Sequence, residues 1–342
     1  MTPAPTLRDV ATLAGVSIKT VSRVVNDDPE VTVATASKVR QAIEQLGYRP
    51  NPLARSLRTG RDEAIGLVVE SIGDPFFAAL TEAVEQAARE AGLFLIIAGA
   101  GDSATHERAV VMGLLHRSVS GLVVVPNLLD YAKEHLSIGP GGVPVVFVDR
   151  PPAGGAADTV LADNREGARH AAAHLIAHGH RRIAFVGRSL DRFPLAERIE
   201  GYRDALKEAE IEFDPALVIS RTRAPLDAQF LDPVLEGENP ATAVLSGNAV
   251  TSLDVVRDLH RRGRTDVAFV SFDDFPIADS LTPPVTVARQ DPALMGRTAT
   301  DLLISRIRGD TSPAHLIRLP TTFVERGSGE LRPRAHSART TI

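Results

Sequence analysis

The sequence predicts a small all-α head joined to a large α/β body. Two observations carry this. Residues 6–47 hold three short stretches of helical period separated by turn residues. Beyond residue 63, apolar runs of strand length alternate with helical stretches, the pattern of repeated βαβ units. At 342 residues the chain has room for two or three domains, each with its own core.

In the head, Thr6 is placed to N-cap a first helix, with Asp9 three residues on as in a capping box. Leu7, Val10, Ala11 and Ala14 give this helix its apolar stripe. Gly15 makes a tight turn, and Ser17 caps a second helix. There Val21, Val24 and Val25 face inward while Lys19, Ser22 and Arg23 face outward. Two helices around such a turn, with a polar and basic outer face, make a helix-turn-helix, a shape that fits a DNA major groove. A third helix runs from near Thr32 to Gly47, with Val39, Ile43 and Leu46 at helical spacing. Then Asn51 as cap and Pro52 at the first helical position begin a short helix through Leu57. About two turns are too few to hold in water alone. This segment either folds on contact with DNA or with its copy in a partner subunit, or is a plain linker.

In the body, strands are expected at Ala64–Val69, Phe94–Ala98, Leu122–Val125, Val143–Val148, Ile183–Val186, Ala243–Leu245 and Val267–Val270. Helices are expected at Phe76–Ala91, Arg165–Ala177 and Ile199–Ala209. Near-continuous apolar strands imply parallel sheets buried on both faces. The pattern is too long for one small sheet, and Asp158–Asn164 reads as a crossing point. Pro333–Ile342 has no periodicity and is expected to be disordered.

Charge divides the same way. Net charge is −5, but residues 1–61 hold nine Lys/Arg against five Asp/Glu, leaving −9 for the remainder. A basic head on an acidic body suits a polyanion at the head only. The absence of cysteine excludes disulfides, thiol catalysis and cysteine-ligated zinc. No apolar run approaches the roughly 20 residues of a membrane span, and no signal peptide is recognisable, so a cytoplasmic location is expected.

The motifs name a family. Asp9-Val10-Ala11, Ala14-Gly15-Val16-Ser17, Thr20 to Asn26, Leu46-Gly47-Tyr48-Arg49-Pro50-Asn51, Asp74-Pro75-Phe76-Phe77, Ser120-Gly121-Leu122, Asp163-Asn164, Gly179 to Ala184, Gly201-Tyr202 and Asp273-Asp274 occur in order. Over about residues 6–330 the chain resembles the LacI-type bacterial transcription regulators. The resemblance implies a DNA-binding domain over 1–50, a hinge helix and linker over 51–62, and an effector-binding core over 63–330. That core would resemble a periplasmic sugar-binding protein. Its N-subdomain would span about 63–162 and 291–320, its C-subdomain about 163–290 and 321–330, with a disordered tail from 331.

By the same resemblance, base-reading positions fall on Ile18, Lys19 and Arg23. Arginine and lysine donate to guanine, and an isoleucine packs on a thymine methyl. Thr6, Ser17, Thr20, Ser22 and Asn26 match phosphate contacts, which fix register. Ala54, Arg55 and Leu57 match hinge contacts; Leu57 is the minor-groove wedge, with Arg55 and Arg58 beside it for phosphates. Effector positions fall on Phe76, Phe77, Asp149, Arg198, Asn248, Asp273 and Gln290. Phe76 and Phe77 form an apolar or stacking wall, or one of them is core packing. The others offer donors and acceptors for a sugar or sugar derivative. Two departures reshape the pocket: Ala249 where many relatives carry an acid, and Asp74 where asparagine is frequent.

Two other patterns point elsewhere. Gly99-Ala100-Gly101-Asp102-Ser103-Ala104 fits a dinucleotide fingerprint, yet no acid ends the next strand. His170, His174 and His178 share a helix face without a fourth metal ligand in view. The expected function is therefore a ligand-controlled, homodimeric repressor on a pseudo-palindromic operator, with no cofactor, metal or membrane. A periplasmic-type ligand carrier and an α/β enzyme are the alternatives. The helix-turn-helix argues against the carrier. The lack of a nucleophile elbow, phosphate loop or H-E-x-x-H argues against the enzyme.

Overall fold

The computed structural model describes residues 5–25, 28, 30–48, 64–127, 131, 139, 142–153, 157–221 and 230–333. The calls on Asn26, Ala54, Arg55, Leu57 and Arg58, the hinge segment 51–62 and the tail from 334 lie outside these residues.

The chain divides into a unit before Ala64 and a unit from Ala64 onward. The first holds α1 (Leu7–Ala14), α2 (Ile18–Val25) and α3 (Val33–Leu46). Thr6 and Asp9 cap α1 reciprocally: Asp9 N–H donates to Thr6 Oγ1, and Asp9 Oδ2 accepts from Thr6 N–H at 2.7 Å. Gly15 ends α1 at φ 65°, a left-handed conformation that glycine adopts without a Cβ penalty. Val10, Ala11, Val21, Val24, Val39, Ala42 and Tyr48 close a single small core.

The second unit is built on two six-stranded sheets. Its elements in chain order are β1 (Ala64–Val69), α4 (Pro75–Glu90), β2 (Phe94–Gly99), α5 (Ala104–Leu115), β3 (Gly121–Val124), β4 (Val145–Val148) and β5 (Thr159–Ala162). There follow α6 (Asn164–Ala177), β6 (Ile183–Arg188), α7 (Phe193–Glu208), β7 (Val218–Arg221), α8 (Asp232–Leu235), β8 (Ala243–Ser246) and α9 (Ala249–Arg261). The unit ends with β9 (Ala268–Phe272), β10 (Thr286–Arg289), α10 (Pro292–Ile307), β11 (Leu316–Leu319) and β12 (Thr322–Val324). The sheet orders are β11-β5-β4-β3-β1-β2 and β12-β10-β9-β8-β6-β7. The two orders match strand for strand, so each sheet repeats the other's plan.

The apolar strand runs follow from cores on both faces of each sheet. On β1, Ile65, Leu67 and Val69 point to the core under α4 and α10, and Val68 points to the core under α5. On the second sheet, Phe185 and Leu245 face α6 and α7, and Val186 and Val244 face the other way. Each such buried aliphatic contributes about 1.5–3 kcal/mol.

Two expectations about the sheets need correction. Sheet burial on both faces fails at β2, an edge strand with Phe94 and Ile97 exposed. The sheets are not wholly parallel, because β12 runs antiparallel to β10. The crossing expected at Asp158–Asn164 is there, at its end: β5 pairs with β4 and β11, and the chain passes to the second sheet after Ala162. Short strands β5, β7, β10, β11 and β12 carry too little periodicity to stand out in sequence. Similarly, α7 begins at Phe193 rather than near Ile199, placing Arg198 inside the helix.

Candidate functional site

On the head, Ser17, Ile18 and Lys19 are exposed at the start of α2, and Thr20, Ser22 and Arg23 are half-buried. Thr20 N–H donates to Ser17 Oγ at 3.1 Å, and the two hydroxyls lie 2.8 Å apart, so Ser17 serves as the cap. Thr6 donates its hydroxyl proton to Asp9 at 2.7 Å. Arg23 does not project freely: its Nε donates to Asp28 Oδ2 at 2.8 Å and its Nη2 to Glu30 Oε2.

In the body, the strands' carboxyl ends open into a cavity of about 720 Å³. Ligands bind outside these ends in parallel α/β sheets. Asp149 follows β4 and Asp273 follows β9, equivalent strands of the two sheets. Both have φ 69°. Each backbone N–H reaches the next strand, Asp149 to Val160 O at 2.9 Å and Asp273 to Ala288 O at 2.8 Å. The left-handed turn, tolerated best by Gly, Asn and Asp, holds each carboxylate at the mouth of its sheet. Both residues line the cavity.

Arg198 lies between the subdomains' charges, 2% exposed. Its Nε donates to Asn164 Oδ1 at 2.8 Å and its Nη1 to Gly247 O at 2.5 Å. Its Nη1 stands 3.5 Å from Asp273 Oδ2, and the guanidinium lies over the Phe272 ring at 3.7 Å. Gln290 Nε2 donates to Asp273 Oδ1 at 2.8 Å, and Gln290 Oε1 is buried with no hydrogen-bond partner among the described residues. A buried acceptor without a donor, on a residue that lines a cavity, calls for a partner from outside the described residues.

Asn248 caps α9, its Oδ1 accepting from Thr251 N–H at 2.8 Å. Of the aromatic pair, Phe77 is a core residue at 5% exposure and Phe76 is half-buried on the cavity wall, their rings edge to face. The predicted effector positions thus all line one cavity.

Sequence reasoning missed a second polar set. Arg150 Nη2 donates to Glu70 Oε2 at 2.8 Å, its Nε to Asp149 Oδ2 at 3.2 Å, and its Nη1 to Asn127 Oδ1 at 3.1 Å. Arg192 Nη1, from the other subdomain, donates to Asn127 O at 3.1 Å. Arg188, on β6, faces Asp254 at 3.1 Å and lines the cavity. Their positions at strand ends, Glu70 after β1 and Arg188 at the end of β6, were the available signal.

Burial pushes the Asp149 and Asp273 carboxyls above the usual range, with Arg150 and Arg198 respectively pulling them back. Asp74, the N-cap of α4, is pushed up to about 6 by burial, and by the charges of Asp273, Asp149 and Glu70, against the Phe76 N–H. A folded carboxyl that titrates above its unfolded value binds extra protons, so this contribution to stability falls as pH rises from about 4 to 6. Asp74→Asn removes that penalty and weakens the charge-assisted cap. A net gain of about 1 kcal/mol near pH 7 is expected, shrinking toward zero near pH 4. Urea unfolding at the two pH values checks it, and a loss at neutral pH contradicts it.

The remaining patterns resolve structurally. Ser103 caps α5 within the glycine-rich stretch. His174 lies 2.8 Å from Glu330, and its ring and that of His170 pack on Phe323. Among the described residues no group of His, Cys, Asp or Glu is arranged to hold a metal, and no helix is long and apolar enough to cross a membrane.

A helical head and two matched sheets around a polar cavity define a class, a DNA-binding fold with a ligand-binding body. Residues 6–51 match the model for "Bacterial regulatory proteins, lacI family", and residues 172–329 that for "Periplasmic binding protein-like domain". The regulator CelR of Thermobifida fusca is 36% identical, covering 95% of this chain and 98% of its own. The ribose operon repressor of Escherichia coli K12 is 31% identical, covering 94% and 99%. A CelR–cellobiose complex superposes with TM-score 0.68 at 32% identity, covering 95% and 99%. A lac repressor dimer bound to operator and the anti-inducer ONPF gives 0.80 at 26% identity, covering 96% and 99%. The chain belongs to the lacI family.

Proposed function

We propose that this protein is a sequence-specific transcriptional repressor whose operator affinity is set by a small polyhydroxylated effector, a sugar or sugar derivative. The observation that carries the effector class is the paired left-handed Asp149 and Asp273 facing one cavity with Arg198 and a buried Gln290 acceptor that has no partner among the described residues. Fixed acceptors and donors around an apolar wall at Phe76 suit hydroxyls and a sugar ring. The CelR complex with cellobiose supports the same class. Asp149, Arg198, Asn248, Asp273 and Gln290 hold the effector polar groups, and Phe76 packs on its apolar face.

Ile18, Lys19 and Arg23 read bases, with Ser17, Thr20, Ser22 and Asn26 on phosphates and Leu57 wedging the minor groove beside Ala54 and Arg55. The protein acts as a homodimer on a pseudo-palindrome inside the cell, as two-fold protein symmetry requires of its site. It acts by binding rather than turnover. Closure of the body on the effector shifts which arrangement of the heads is populated.

A thermal-shift screen of mono- and disaccharides, with operator selection from random DNA, tests this. An effector at about 100 Kd adds about 2.7 kcal/mol to stability, and selected sites should be inverted repeats. No stabilising sugar together with no enriched repeat would sink the reading.

A further inference from the structure

Arg23 lies in a fork of two acids, and the two differ in how they are held. Asp28 is fixed by the backbone: its N–H donates to Arg23 O at 3.0 Å, and its Oδ1 accepts from Glu30 N–H at 3.0 Å. Its other oxygen takes Arg23 Nε at 2.8 Å. The Glu30 side chain is 78% exposed and accepts from Arg23 Nη2. A guanidinium carries five N–H donors in a rigid fork. With Nε held by Asp28, the two terminal nitrogens remain to form a bidentate pair with guanine O6 and N7. Glu30 takes one of the two Nη2 protons, so its carboxylate competes with a base for this nitrogen and places a negative charge beside the base's acceptors.

We propose that Asp28 is a positioning residue that aims Arg23 end-on at a guanine, and that Glu30 is exchanged for that base when DNA enters. This rests on Arg23 reading a base. A long arginine otherwise loses rotamer freedom on binding, and a carboxylate that already holds Nε spares part of that loss. The same carboxylate repels phosphates, so Asp28 exchanges general DNA affinity for discrimination at one base pair. Glu30 opposes binding to any sequence, because it competes for Nη2 and adds negative charge beside the backbone.

The test uses the full-length protein and its selected operator, with affinities measured for the operator, for the operator changed at each base pair, and for random DNA. Arg23→Ala should abolish the preference at one base pair per half-site; if no position changes, the reading of Arg23 itself fails. Given that change, Asp28→Asn should reduce the preference at the same pair about ten-fold while random-DNA affinity rises. Adding Asp28→Asn to Arg23→Ala should then change no preference. Glu30→Gln should raise affinity for operator and random DNA alike and leave the preference intact. If Asp28→Asn raises both affinities equally, it is only a repelling charge. If it lowers both equally, it only shapes the turn. Either outcome overturns the proposal.

Discussion

Arg198→Ala is expected to cost about 3–5 kcal/mol of stability and to abolish the response to effector. The side chain is fully buried, and its loss leaves Asp273 without its cation and Asn164 Oδ1 and Gly247 O without their donors. Breaking a buried pair costs more than never having formed it, because the remaining charge stays desolvated. Burial already raises the Asp273 carboxyl and Arg198 opposes that rise; without it the group rises further. A raised carboxyl keeps its proton in the folded state after the unfolded chain has lost it. The variant's deficit should therefore widen as pH rises above the wild-type carboxyl's own raised range and narrow as pH falls below it. Denaturant unfolding near pH 5 and pH 8 measures this. A deficit below about 1 kcal/mol, the size of an exposed pair, would show that Arg198 does not neutralise the cleft.

Gly201→Ala is expected to cost about 3 kcal/mol or more, although alanine is intrinsically the better helix former by about 1 kcal/mol. A Cβ on Gly201 would stand 2.0 Å from Arg165 O and 2.9 Å from Arg169 N. These are backbone atoms of α6, so no side chain can swing away. Gly201 lies three residues after Arg198 on α7, on the same face. The close approach of α6 and α7 also brings Arg198 Nε to Asn164 Oδ1. The variant should therefore lose both melting temperature and effector affinity. A fully stable variant would mean that the helices separate without consequence.

How much of this was legible in the sequence depends on how local each signal is. The head was legible because caps, turn and apolar stripe all lie within a few residues; Thr6, Asp9 and Gly15 act as their types predict. Long buried strands such as β1 and β6 were legible as apolar runs. The four-residue strands β3, β4 and β8 were legible too, because all their residues are buried and apolar or nearly so, whereas β11 and β12 were not, since they are partly exposed and recruited by pairing across the sheet edge. In the cleft, the resemblance marked Asp149 and Asp273, but their shared left-handed turn is a property of tertiary context. Arg150 and Glu70 were missed because they meet across 80 residues of chain. The occupation of Arg23 by Asp28 and Glu30 was equally hidden, since helical spacing shows which face a side chain is on and not what it grips there.

An effector-controlled repressor requires the cleft and the head to be coupled. Operator affinity should be titrated with and without saturating effector, and effector affinity with and without saturating operator, at one salt concentration. Linkage requires the two ratios to be equal, and a coupling of about 5- to 150-fold is expected. An effector that binds with Arg198-dependent affinity yet leaves operator affinity unchanged would contradict that coupling.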